Sequence, residues 1–127
     1  MTIKKGLLLC LLAIGFSFNL FSQILEPVKW ESSVKKISDT EYDLIFTVQI
    51  DNGWYIYSQE SAGDFGPVPT SFEYKNQENN YNLIGKTSEP DVEPEFDKIF
   101  ELDVKHFAKT AEFKQRIKVL KPSFKIR

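Results

Sequence analysis

The run Tyr42-Asp43-Leu44-Ile45-Phe46-Thr47-Val48-Gln49-Ile50, followed by Asp51-Asn52-Gly53 and Trp54-Tyr55-Ile56-Tyr57, decides the fold class. Tyr42, Leu44, Phe46, Val48 and Ile50 recur at every second position, with Asp43, Thr47 and Gln49 between them. That period sets the apolar residues on one face of a strand. Ile45 interrupts the polar face, which predicts that this face is partly covered. Asp51-Asn52-Gly53 is a turn signal, because Asn and Gly accept φ > 0. Trp54–Tyr57 is aromatic and β-branched, as strands prefer. The two runs are predicted to pair as a hairpin.

Outward from this stretch the same alternation predicts strands at Trp30–Ile37, Thr70–Lys75 with Phe72 and Tyr74 on one side, Tyr81–Lys86, Phe96–Phe107 and Ala111–Leu120. In the last, Phe113, Ile117 and Val119 face inward and Glu112, Lys114, Arg116 and Lys118 outward. Gln59–Pro69 holds Gly63, Gly66, Pro67 and Pro69 and reads as a loop. About seven short strands separated by turns predict an all-β, antiparallel β-sandwich.

The N-terminus has a different character. Lys4 and Lys5 precede an apolar run from Gly6 to about Phe21. This is short for a membrane span and lacks a stop-transfer flank, so residues 1–22 are predicted to be a helical signal peptide cleaved after Ser22. Residues 23–127 then form one domain in the periplasm or outside the cell, with membrane attachment only through an uncleaved signal or a fused transmembrane partner. The 105-residue remainder carries 14 Lys and Arg against 18 Asp and Glu, a net charge of −4. This lacks the basic footprint that nucleic acid requires. Cys10 is the only cysteine and departs with the signal, so no thiol chemistry is expected of the mature residues.

No catalytic residue, metal or cofactor is expected from the remaining motifs. His106 is the single histidine, without a Cys or second His nearby, and reads as a surface or half-buried strand residue. There is no nucleophile elbow and no phosphate-cradling Gly-rich loop. Glu89, Asp91, Glu93, Glu95 and Asp97 occupy alternate positions with Pro90 and Pro94 among them. An extended chain would align all five carboxylates. The functional reading is a docking strip for a basic partner or a weak Ca²⁺ site. The simpler one is a solvated loop that guards a sheet edge. Trp54, Tyr55, Tyr57, Phe65 and Tyr74 can supply an aromatic contact patch, with at least one tyrosine packed inside.

Asn52-Gly53-Trp54-Tyr55-Ile56-Tyr57-Ser58-Gln59, Gly66-Pro67-Val68-Pro69-Thr70-Ser71-Phe72, Tyr81-Asn82-Leu83-Ile84-Gly85-Lys86 and Phe113-Lys114-Gln115 together resemble the N-terminal periplasmic domain of the thiol:disulfide interchange protein DsbD, in its Bacteroidetes-type versions. The likeness runs from about Leu25 to Leu120. It implies an immunoglobulin-like sandwich whose partners are thioredoxin-fold proteins or domains. The family role is electron transfer in protein-disulfide reduction and cytochrome c maturation. It also implies a cap loop over the reactive site at about Glu93–Ile99, with Phe96 as the shielding aromatic, and matches Tyr55 and Tyr57 to the strand whose tyrosines lie beside the family's cysteine pair. The family's cysteine hairpin follows a strand like Ser123–Arg127. Both of its cysteines are absent from this sequence, so the expectation is a truncated domain that binds partners without redox activity of its own. A secreted, non-catalytic binding or structural sandwich is the alternative.

Overall fold

The computed structural model describes residues 26–121, which are all-β with no helix. The predicted signal peptide and the run at 123–127 lie outside the described residues. Eight strands occur in the order β1 (Val28–Lys36), β2 (Glu41–Ile50), β3 (Ile56–Tyr57), β4 (Tyr81–Ser88), β5 (Glu95–Asp97), β6 (Leu102–Val104), β7 (His106–Phe107) and β8 (Thr110–Val119). They form antiparallel sheets: a four-stranded β1-β2-β8-β4 and the pairs β3-β7 and β5-β6.

The alternation read from the sequence builds the core. β2 and β8 place Phe46 opposite Phe113 and Val48 opposite Ala111 on the inner face. Val48, Ile50, Phe107, Ala111 and Phe113 form the buried cluster, with Val28, Phe46, Ile56, Phe72 and Val92 packed against it. Ile56 and Phe107 belong to β3 and β7, so the small sheet shares a core with the large one, an arrangement consistent with a β-sandwich. On the outer face Arg116 stands opposite Asp43 and grips it with two bonds, Nε to Oδ1 at 2.6 Å and Nη2 to Oδ2 at 3.2 Å. The Arg116 hydrogen bond holds the Asp43 carboxyl below its ordinary value against the opposing effect of desolvation.

Three expectations are corrected. The run 42–50 does not pair with 54–57. Both edges of β2 are taken, by β1 and β8, which leaves no ladder position for a third strand. The tight turn of its hairpin is instead at Ser38–Thr40, where the Ser38 hydroxyl accepts the amides of Thr40 and Glu41. Asp51-Asn52-Gly53 still turns the chain, with Gly53 at φ 84°, but carries it from the large sheet into β3.

Phe96–Phe107 is not one strand. The Asp97 carbonyl accepts the Glu101 amide at 2.7 Å, and Glu101 takes φ 57°, so the segment folds back as the β5-β6 hairpin before β7 begins. Thr70–Lys75 is not a strand, since it joins no ladder. Phe72 and Tyr74 nevertheless share a side: Phe72 stacks on Phe46 at 5.1 Å between centroids, and Tyr74 approaches the same ring.

β4 shifts register between Ile84 and Ser88, where Gly85 adopts φ 70°. The buried amide of Gln115 answers the carbonyls released there: Nε2 donates to Ile84 O, Gly85 O and Arg116 O, and Oε1 accepts from Thr87 Oγ1 at 2.7 Å. The Thr87 hydroxyl in turn shares a hydrogen bond with the Tyr74 phenol. Gln115→Leu removes the amide donor of two bulge carbonyls and one of the two partners of the Thr87 hydroxyl, and is expected to cost about 2–4 kcal/mol. A urea denaturation curve measures this, and a loss below about 0.5 kcal/mol would show that water replaces the amide.

Candidate functional site

The β5-β6 hairpin is fastened over β3 through Asp97, a buried carboxylate. Its Oδ1 accepts the amides of Ile99 at 2.8 Å and Phe100 at 3.1 Å, an Asx-type closure of the hairpin tip. Its Oδ2 accepts the Tyr57 hydroxyl at 3.2 Å. The Phe100 amide does most to hold the Asp97 carboxyl below its ordinary value, with help from Ile99, Tyr57 and His106. Burial foremost, then Tyr55 and Asp97, push the Tyr57 phenol well above its usual range, so it stays a neutral donor.

Tyr55 lies beside this joint. Its ring meets Tyr57 edge-on at 5.4 Å and His106 at 4.7 Å. His106, on β7, also places Nε2 3.5 Å from Glu95 Oε2 of β5. Together Tyr55, His106, Glu95, Phe96, Asp97 and the turn residues Lys98 and Ile99 line a cleft of about 310 Å³. Phe96 is 64% and Ile99 80% exposed at its rim.

Of the residues singled out from sequence, Tyr55, Tyr57 and Phe96 are therefore brought to one place. Phe96 lines the cleft, while the ring resting edge-on against Tyr57 is Phe100, at 6.2 Å. The five alternating carboxylates are dispersed. Glu89 accepts from the Ser58 hydroxyl, the Gln59 amide and Gln59 Nε2, Glu95 faces His106, and Asp97 is buried in the hairpin. Asp91 and Glu93 are exposed. Among the described residues no three His, Cys, Asp or Glu side chains converge as a metal site would need. The aromatic set divides likewise. Trp54 is half exposed, Phe65 is almost fully exposed, and Tyr74 serves the Thr87 network. Phe100 carried no sequence signal, Ile99 entered only as the end of the cap segment, and His106 was read only as a surface or half-buried strand residue, which its place on β7 matches: no spacing rule predicts a stacked His or a turn Phe across a non-local contact.

The depressed carboxyls give a pH prediction. A carboxyl whose folded value lies below its unfolded one stabilises the fold at pH above the unfolded value and loses that contribution as pH falls through the folded value. Asp43 and Asp97 both lie below 3.8, so the urea midpoint is expected to hold above that pH and fall below it. Asp97→Asn is expected to flatten part of that acid limb, and an unchanged limb would contradict the role given to Asp97.

No family model, no curated protein and no solved structure matches this chain.

Proposed function

We propose that residues 23–127 are an exported, immunoglobulin-like β-sandwich of the DsbD N-terminal type. The domain docks thioredoxin-fold proteins in the periplasm through the cleft lined by Tyr55 and Phe96 and fastened from behind by Tyr57, in the service of disulfide reduction or cytochrome c maturation. One observation carries the reading: the segment that the resemblance assigns to the cap, Glu93–Ile99, contains the hairpin strand that Asp97 ties to Tyr57, and its Phe96 lines one cleft with Tyr55. An exposed aromatic beside a fixed, half-buried one is the composition of a binding hot spot. Cys10 is the sole cysteine of the sequence, so these residues contribute recognition and no exchanging thiol.

Trp54, 49% exposed and adjacent to Tyr55, is a built-in reporter. Titrating the chain with a thioredoxin-fold domain, oxidised and reduced, is expected to change tryptophan emission with saturation in the micromolar range or below. Calorimetry without heat and emission without change, in both redox forms, would overturn the proposal. A second reading, a secreted module that binds through its loops, is favoured by Phe65 and Val68, which stand 90% and 87% exposed. In that case substitutions at Phe65, and none at Phe96, would alter binding.

A further inference from the structure

We propose that the free edge of β1 pairs with β1 of a second copy of this chain, antiparallel about Ser33, joining two four-stranded sheets into one. β1 keeps register with β2 from Val28 to Lys36 without a bulge, and β2 is its only strand neighbour among the described residues. An unbroken nine-residue edge presents a row of amides and carbonyls ready to extend the sheet. The opposite edge, β4, offers no such template, because its register shifts at Gly85.

The charges select the register. Directly opposed residues in antiparallel strands share a face, so a two-fold pairing sets one residue against its own copy. Centred on Ser32, Lys29 would face Lys35 twice. Centred on Glu31, two carboxylates would meet. Centred on Val34, Glu31 would face Ile37 and no charges would pair. Centred on Ser33, Glu31 faces Lys35 in both directions and Trp30 faces Lys36, with Trp30 diagonal to Val34 on the core side. Trp30 and Val34 are each 46% exposed, so this register covers apolar surface that β1 leaves open. Neither Glu31 nor Lys35 makes an ion pair among the described residues. Asp43, opposite Lys35 in β2, is held by Arg116.

Sedimentation equilibrium of the exported product tests the pairing. The wild type is expected to dimerise with rising concentration. Glu31→Lys, whose neighbour within its own sheet is the neutral Thr47, is expected to weaken the dimer about tenfold or more, and Glu31→Lys with Lys35→Glu to restore it. Near-UV circular dichroism checks that each variant is folded. As a second readout, Ser33→Cys is expected to cross-link to its own copy under mild oxidation far faster than Ser32→Cys. A monomer at all concentrations, indifference to Glu31→Lys, failure of the double swap to restore association, or equal cross-linking at both positions would overturn the proposal.

Discussion

Phe113→Ala is expected to destabilise the domain by about 3–5 kcal/mol and lower its Tm by roughly 15 °C or more. Phe113 has no exposed surface and occupies the centre of the aromatic cluster, with Phe72 at 5.1 Å, Trp30 and Phe107 each at 5.7 Å, and Phe46 as its cross-strand partner. Its removal opens a hole bounded by elements from both sheets and by the 70–75 segment, none of which can close it alone. A loss of this size consumes a third or more of the stability usual for a domain of about 100 residues. Thermal unfolding followed by circular dichroism measures it. A fall of only a few degrees would mean that the cluster collapses into the space and that the small sheet is less tightly joined to the large one than its contacts indicate.

The second large effect is on binding. Phe96→Ala is expected to weaken the affinity for a thioredoxin-fold partner by about 10- to 100-fold with an unchanged Tm. At 64% exposure the Phe96 ring contributes little to folding, so lost affinity cannot be attributed to a damaged core. Tyr57→Phe makes the complementary change. It keeps the ring and removes the hydroxyl that anchors Asp97, which tests whether the hairpin must be fastened for the cleft to work. Affinity lost in Phe96→Ala and retained in Tyr57→Phe would place recognition in the exposed ring and assign the anchor to stability.

The strand faces were legible in the sequence, because a period of two is visible locally: the inward Phe113 and Ile117, and the inward Val48 and Ile50, are where alternation places them, and Val119 at the strand end is half-buried. Strand partners were not. Which neighbour β2 accepts depends on competition among distant segments, and the Ser38–Thr40 turn, closed by a serine hydroxyl, decided it against the stronger-looking Asn52-Gly53 signal. The break at Lys98–Glu101 was hidden for a similar reason. Its determinant is one side chain, Asp97, acting as a backbone acceptor inside a run that otherwise alternates well. For the candidate site, Tyr55, Tyr57 and Phe96 came from motif likeness and lie together, whereas His106 became part of the cleft only through β7 pairing with β3. The carboxylate row failed to form because alternation in sequence says nothing about donors waiting elsewhere: Ser58 and Gln59 take Glu89.

Hydrogen–deuterium exchange, run on the chain with and without a saturating thioredoxin-fold partner, tests the central claim. Slowed exchange at residues 55–57, 95–101 and 106, with β1 and β4 unchanged, is the predicted result. Protection on the Phe65–Val68 loop or on β4, with the hairpin exchanging as freely as in the unbound chain, would contradict it.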